Sequence, residues 1–156
     1  MTTRILWCGD STLVGIIRDL NNPPYDFIPT DINEVKVCTD MLNAFHGEGA
    51  VDSINAAVSS TQCIDWRYGN TERNMPNFHQ LLYNHPLVDI VVIQLGINDA
   101  YNPNISVNDF RNAFAFFAEK CAAWGKKVVF ATPCPINTEY NGRLWEFQYN
   151  MKLVAA

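Results

Sequence analysis

Short apolar runs alternate along this chain with longer segments whose apolar residues recur at helical spacing. Runs typical of buried strands lie at residues 3–8, 51–58, 88–95 and 127–132. Helical spacing is seen at residues 12–20, 74–84, 106–124 and 138–155. Strands that alternate with helices are typical of a parallel sheet, because parallel neighbours need a crossover connection. The order predicts an α/β protein, a three-layer α/β/α sandwich around a parallel, flavodoxin-like sheet.

The helix at 106–124 has the clearest boundaries in the sequence. Ser106 is predicted to cap it, because Asp109 lies three residues further on and completes a capping-box pattern. Gly125 is predicted to end it. Its apolar residues fall on one face, and they are Phe110, Phe114, Phe117, Cys121 and Trp124. This face is predicted to pack against the sheet.

Two stretches nearer the N-terminus give weaker signals. The helix at 12–20 is predicted to end at the Asn and Pro cluster of residues 21–24. Residues 34–37 alternate in polarity and favour a short strand. Asp40 favours a helical turn that follows it over residues 41–45.

The composition predicts one globular domain over residues 1–156, with 48% hydrophobic and 17% charged residues. A net charge of −5 and a single adjacent basic pair, Lys126-Lys127, argue against a nucleic acid partner, because such binding needs clustered cations. No apolar run is long enough for a membrane span. The short apolar run after Arg4 does not resemble a signal peptide core. We therefore expect a cytoplasmic location, or one associated with a phage or virion.

The cysteines do not form a recognisable framework. Their number is five, and no two of them have CxxC spacing, so reduced thiols are expected. Cys8 and Cys134 lie in or beside predicted strands and are expected to be small core residues. No spacing of acidic residues, histidines or cysteines favours a metal site, and no cofactor is predicted.

Two predicted strands end in residues with reactive or polar side chains. The first strand leads into Gly9-Asp10-Ser11, and the central strand leads into Gly96-Ile97-Asn98-Asp99. Because open parallel sheets bind ligands at the carboxyl ends of their strands, a hydroxyl and an amide are expected at one edge. A simpler interpretation is that Asp10 only caps the following helix and that Asp99 only supports a turn.

These two blocks resemble those of the SGNH, or GDSL-type, hydrolases. That family has Gly-Asp-Ser after its first strand and Gly-x-Asn-Asp after a central strand. Its second block is similar to residues 55–61 here, which read Asn-Ala-Ala-Val-Ser-Ser-Thr. Ser60 stands where the family has a glycine.

The resemblance implies a role for each matching residue. Ser11 would be the nucleophile, while the side-chain amide of Asn98 and the backbone N–H of Ser60 would form an oxyanion hole. Asp10 and Gly96 would support this geometry. A serine at position 60 keeps the backbone donor but penalises any positive φ that the loop requires.

The resemblance also implies a fifth strand and then an Asp-x-x-His block, whose histidine is the general base. This sequence contains no Asp-x-x-His, so the base is not assigned. The chain is expected to hold four of five sheet strands and to be cut short or completed by another segment. His79 and His85 are expected to be structural, and His46 is the histidine least excluded as a substitute.

The expected reaction is hydrolysis of a small ester, such as an O-acetyl group on a carbohydrate, through an acyl-serine. The alternatives are a lysophospholipid or thioester substrate, or a non-catalytic module that binds glycan or has a structural role. Trp66, Tyr68, Tyr101 and Asn102 follow the motif residues, so they either line a sugar or acyl pocket or form surface turns. The oligomeric state is not predicted.

Overall fold

The computed structural model describes residues 1–18, 27–30, 32–135 and 139–155. In chain order the elements are β1 (Thr3–Gly9), α1 (Ser11–Val14), β2 (Ile16–Arg18), β3 (Phe27–Pro29), α2 (Glu34–His46), β4 (Val51–Asn55), α3 (Cys63–Tyr68), α4 (Phe78–Asn84), β5 (Ile90–Gln94), α5 (Ile97–Tyr101), α6 (Val107–Ala123), β6 (Lys127–Phe130) and α7 (Asn141–Ala155). Within these ranges no helix combines the length and apolar character that crossing a bilayer demands.

Four strands form one parallel sheet in the order β4-β1-β5-β6. This is the flavodoxin-like order, in which the second strand of the sheet lies outside the first and later strands add on the other side. Helices cover both faces, so the predicted three-layer α/β/α architecture is confirmed. Among the described residues β6 pairs only with β5, and the sheet therefore has four strands.

Alternation along the strands divides the core into two layers. On β1, Leu6 and Cys8 face the larger layer, which α3, α4, α6 and α7 cover. Ile5 and Trp7 face the smaller layer, which packs under α1 and α2. Because side chains of a strand alternate between faces, a strand covered on both sides is apolar on both, and this explains the continuous apolar run at residues 5–8.

A stack of aromatic rings joins α6 to α7. The ring of Phe110 lies 4.5 Å from Phe114 on its own helix and 4.5 Å from Phe147 on α7, with only 7° between the planes of Phe110 and Phe147. All three side chains are fully buried. At its start, α6 has the predicted capping box, in which Ser106 and Asp109 bond each other's backbone N–H groups.

The first predicted helix was too long. Helix α1 ends at Val14, because Gly15 takes a left-handed conformation with φ 79° and its N–H bonds back to Ser11 and Thr12 carbonyls. The chain then continues as β2, which pairs antiparallel with β3, a hairpin that the apolar spacing did not indicate. The predicted helix end at residues 21–24 lies outside the described residues.

The strand predicted at 34–37 was wrong. These residues open α2, whose N-cap Asn33 accepts a hydrogen bond from the Lys36 N–H at 2.9 Å. Val35, Cys38 and Leu42 recur at helical spacing and pack in the smaller core layer. The helical turn predicted over residues 41–45 is the second half of this helix.

The remaining boundaries shift by a few residues. Strand β4 is shorter than the predicted 51–58, helix α4 is shorter than 74–84, and the predicted first residue of α7, at 138, lies outside the described residues. The short helices α3 and α5 were not predicted. Cys8 is buried as expected, whereas Cys134 is exposed and is not a core residue.

We expect Phe147→Ala to lower the free energy of unfolding by about 3–5 kcal/mol, because it removes the α7 side of the aromatic stack and leaves a cavity. Urea unfolding followed by circular dichroism measures this change. Tyr149→Ala is the matched control, since Tyr149 lies on the same helix but is 63% exposed, and its effect should stay within about 0.5 kcal/mol. Equal losses from both substitutions would contradict this account of the stack.

Candidate active site

The ends of β1 and β5 lie level at the carboxyl edge of the sheet. In the parallel register Gly9 is the partner of Gln94, so Ser11 and Gly96 each follow two residues later. A Cβ atom at position 9 would lie 2.6 Å from the Gln94 carbonyl oxygen, so only glycine fits there. In a flavodoxin-like sheet the crevice between these two strands is the topological switch point, where ligands bind.

Asp10 fixes the backbone that carries Ser11. Its buried carboxylate caps α1 by accepting hydrogen bonds from the Thr12 N–H at 3.0 Å and the Thr12 hydroxyl at 2.9 Å. Burial raises the pKa of Asp10, and the two bonds from Thr12 partly oppose that shift. Ser11 is the first residue of α1 and is half-buried.

The loop after β4 is tied to the end of β1. The Gly9 carbonyl oxygen accepts hydrogen bonds from the Val58 N–H at 2.9 Å and from the Thr61 hydroxyl at 3.3 Å. The Thr61 hydroxyl also receives the indole N–H of Trp66 at 3.0 Å. Trp66 is only 2% exposed, so it supports this loop and does not line a surface pocket.

Ser60 has the positive φ that a serine at this position was expected to adopt only at an energetic cost. Its φ is 59°, in the left-handed region that glycine occupies at little cost. The neighbouring Ser59 carbonyl accepts a hydrogen bond from Arg73 at 3.0 Å, which holds the turn from outside. The side chain of Ser60 is exposed. The loop therefore has the left-handed backbone that a glycine would favour, and Ser60 is strained as a result.

The turn after β5 brings Asn98 to the other two blocks. Gly96 has φ 132°, which a side chain would strain, and it caps the short helix α5. The amide nitrogen Nδ2 of Asn98 lies 3.1 Å from the Thr61 carbonyl oxygen and 3.5 Å from Asp10 Oδ2. The side chain of Asn98 thus contacts the loop after β4 and the residue next to Ser11. The structure brings together all the segments that carry the predicted site residues.

Asp99 lies beneath this constellation. It is fully buried, and its Oδ1 accepts the Cys63 N–H at 2.9 Å, while Oδ2 has no hydrogen-bond partner among the described residues. Burial raises the pKa of Asp99 to about 6, with a smaller opposing contribution from hydrogen bonds with Cys63. Asp99 supports more than its own turn, because it fixes the start of α3 and hence the end of the second block.

The supporting residues Gln62 and Cys63 were missed by the sequence interpretation, and Thr61 was included in the second block without a role of its own. Gln62 donates to the Asn98 carbonyl at 3.2 Å and accepts from Asn102 at 3.0 Å. These contacts join positions that are 36 to 40 residues apart in sequence. The one available signal was the position of Gln62 and Cys63 directly after the second block.

None of the three histidines accompanies Ser11. His46 lines a cavity with Thr3, at the amino end of β1, and β1 rises roughly 20 Å before it reaches Gly9. His85 lines a cavity with Arg4 at the same end of the sheet. The ring of His79 lies 5.8 Å from that of Trp124, which precedes β6. His46 is therefore no better placed as a base than the other two.

In chemical terms the site offers a serine hydroxyl on the residue that follows Asp10, and a side-chain amide that contacts Asp10. A side-chain amide and backbone N–H groups near a hydroxyl are the parts that acyl transfer needs to stabilise a tetrahedral oxyanion. Within the described part of the chain, no three His, Cys, Asp or Glu side chains are grouped so that they would hold a metal ion.

No protein-family model and no curated protein sequence matches the chain. Solved structures do resemble it. The native aryl esterase of M. smegmatis has a TM-score of 0.75 at 18% sequence identity, over 99% of this chain and 80% of that one. An acetylxylan esterase from Geobacillus stearothermophilus has a TM-score of 0.70 at 16% identity, over 98% of this chain and 71% of that one.

An α/β hydrolase from the metagenome of Lake Arreo has a TM-score of 0.71 at 15% identity, over 98% of this chain and 72% of that one. Further structures are catalytic mutants of the Geobacillus enzyme, in which a serine, an aspartate or a histidine is replaced by alanine. At these identities the likeness shows a shared fold, and the fold is one that ester hydrolases use.

We expect Asp99→Asn to remove one component of the pH dependence of stability. The folded-state pKa of about 6 lies above the ordinary 3.8, so ionisation of Asp99 destabilises the folded chain progressively as pH rises from 4 to 6. The full effect is about 3 kcal/mol. The free energy of unfolding of the wild type minus that of Asp99→Asn should therefore be lower at pH 7.5 than at pH 4.5.

Urea unfolding of both proteins at the two pH values measures this difference. Asp109→Asn is the control, because hydrogen bonds from Ser106 lower the pKa of the exposed Asp109 carboxyl below its ordinary 3.8. The stabilisation by Asp109 is lost only below that pH, so the difference between wild type and Asp109→Asn should be nearly the same at pH 4.5 and pH 7.5. If the wild type and Asp99→Asn differ in free energy of unfolding by the same amount at both pH values, the pKa of Asp99 is not raised by burial.

We expect Ser60→Gly to raise the free energy of unfolding by roughly 0.5–1 kcal/mol, because glycine removes the left-handed strain at a smaller entropic cost. Ser59→Gly is the matched control. Ser59 has no positive φ, so glycine should there lower the free energy of unfolding by a similar amount. Chemical denaturation of the two variants decides the point, and a loss of stability in both would mean that residue 60 is unstrained.

Proposed function

We propose that this chain, whose fold is that of the SGNH-type hydrolases, is a serine ester hydrolase with Ser11 as its nucleophile. The position of Asn98 Nδ2 is the observation that carries the proposal. It lies 3.1 Å from the Thr61 carbonyl and 3.5 Å from Asp10, so a single amide contacts the two segments that flank the proposed reaction centre.

In this mechanism Ser11 Oγ bonds to the ester carbonyl carbon while its proton passes to a base. The carbonyl π electrons move to oxygen, and the oxyanion accepts hydrogen bonds from Asn98 Nδ2 and from the backbone N–H groups of Ser11 and Ser60. Collapse of the tetrahedral species breaks the ester C–O bond, and the alcohol leaves with the proton. Water then hydrolyses the acyl-serine by the same steps in reverse.

The long contact from Asn98 Nδ2 to Asp10 supports its role as a donor. An amide nitrogen has two hydrogens, and the Thr61 carbonyl at 3.1 Å accounts for one of them. The other meets Asp10 Oδ2 at 3.5 Å, near the limit of a useful hydrogen bond, so little is lost when it turns to an oxyanion. Asp10 and Gly96 act as positioning residues, the first through its cap on α1 and the second through its φ.

We propose that the base is a histidine outside these 156 residues, in a following segment or in a partner chain. The placement of His46, His79 and His85 toward the amino ends of the strands supports this. So does the edge of β6 that faces away from β5, because no strand of the described residues pairs with it. The Geobacillus esterase, which has both an aspartate and a histidine among its catalytic mutants, is also longer than this chain.

The substrate we propose is a small ester, with an O-acetyl group on a carbohydrate as the leading candidate. The acetylxylan esterases that share the fold support an acetyl group. The polar surroundings of Asn98, which include Gln62 and Asn102, suit a hydroxylated alcohol better than a lipid chain.

A fluorophosphonate probe tests this function, because it phosphonylates a serine that has an oxyanion hole. We expect mass spectrometry to find the adduct on Ser11, formed slowly by the chain alone and faster when imidazole supplies a base in solution. Asn98→Ala should slow the labelling roughly 100-fold, since it removes one oxyanion donor.

Ser11→Ala should abolish the adduct, and Ser59→Ala is the matched control that should leave the rate unchanged. Hydrolysis of p-nitrophenyl acetate without imidazole, compared between wild type and Ser11→Ala, then shows whether the chain alone turns over. An adduct on another residue, or none in either condition, would count against Ser11 as nucleophile and favour a non-catalytic module.

A further inference from the structure

Two tyrosines in contact, one exposed and one half-buried, lie at the end of the short helix that carries the proposed oxyanion donor. Tyr101 ends α5, three residues after Asn98, and residues at this spacing are neighbours on a helix surface. Its ring lies 4.7 Å from that of Tyr140, with 56° between the planes. Tyr101 is 43% exposed, whereas Tyr140 is half-buried against the core. The ring of Tyr101 is therefore accessible to solvent, and the ring of Tyr140 supports it from the protein side.

Arg143 fixes this pair in place. Its guanidinium donates to the carbonyls of Ala100 at 3.2 Å and Asn102 at 2.7 Å, and also to that of Ile105. The same group lies 5.2 Å from the centre of the Phe147 ring. Because Arg143 belongs to the first turn of α7, it locks the end of α5 to the helix that follows Tyr140. The aromatic surface is thus built before any ligand arrives.

Polar groups connect this surface to the reaction centre. Asn102 donates to Gln62 at 3.0 Å, and Gln62 donates to the Asn98 carbonyl at 3.2 Å. An aromatic face bordered by amides matches a sugar ring, which has an apolar C–H face and hydroxyl groups around its rim. An acyl chain would instead need an enclosed apolar cavity, and Tyr101 is too exposed to provide one.

The other aromatic candidates near the motifs are occupied differently. Trp66 is buried and supports Thr61. Tyr68 lies 5.0 Å from the Arg67 guanidinium, which also lies over Phe116 of α6. Of the four residues singled out in the sequence as pocket candidates, Asn102 is joined to Asn98 through Gln62, and Tyr101 is the exposed aromatic residue on the same short helix as Asn98.

We infer that Tyr101, backed by Tyr140, is the surface on which the sugar ring of an acylated carbohydrate stacks while its ester lies at Ser11. This inference rests on the proposed function and makes it more specific. It assigns the alcohol side of the substrate to the end of α5 and the acyl side to the crevice between β1 and β5.

Binding of xylotetraose to the 156-residue chain tests the inference without any need for turnover. Saturation-transfer NMR should show magnetisation passing from aromatic protons to the sugar, and a titration gives the Kd. We expect Tyr101→Ala to raise the Kd about tenfold, because the stacking face is lost. Tyr101→Phe should keep most of the affinity, since it keeps the ring. Tyr149→Ala, an exposed tyrosine on α7, should leave the Kd unchanged.

The outcomes separate this inference from the proposed function. Binding that depends on Tyr101 supports the surface whether or not the wild-type Ser11 reacts with the fluorophosphonate. A wild-type chain that is labelled at Ser11 but does not bind xylotetraose, or binds it equally after Tyr101→Ala, would overturn the inference and leave the hydrolase in place. Equal weakening by Tyr149→Ala would also overturn it.

Discussion

The parallel pairing of β1 with β5 is the constraint on which the rest of the site depends. It sets Gly9 opposite Gln94, so two unrelated stretches of sequence leave the sheet at the same height. The paired strands are buried on both faces, and a slip in register would displace the apolar side chains of both core layers as well as the site. The packing of the core therefore also stabilises the register that aligns the segments carrying Ser11 and Asn98.

The Gly9 carbonyl extends this alignment to the third segment. It accepts the Val58 N–H and the Thr61 hydroxyl, so the loop after β4 is fixed to the strand that carries Ser11. Asp99 secures the far end of that loop through the Cys63 N–H. Buried hydrogen bonds of this kind are costly to lose, because each broken one leaves a polar group without water. The geometry of the candidate site therefore depends on supporting groups, the Gly9 carbonyl and Asp99, more than on the proposed catalytic residues.

Much of this was predictable because the signals were local. Apolar runs identified the four sheet strands, the capping box identified α6, and the residues that end β1 and β5 pointed to the candidate site. The failures have physical reasons as well. Gly15 ended α1 because a left-handed turn interrupts a helix whose apolar spacing would otherwise continue. Gln62 and Cys63 act through contacts more than 30 positions away, which no local pattern encodes. The conformation of Ser60 is set by the loop around it, against its own preference.

The register between β1 and β5 has a consequence for how the molecule forms. Its partners stand 85 residues apart in sequence, and the loop after β4 must close onto β1 across 52 residues. Bringing such distant segments together costs chain entropy before any contact repays it, so a topology of this kind folds slowly. The candidate site draws on residues from Gly9 to Asp99, so an isolated hairpin or helix pair cannot display it. The reactive geometry arises only as the central sheet closes, which makes the state of Ser11 a reporter on completion of the fold.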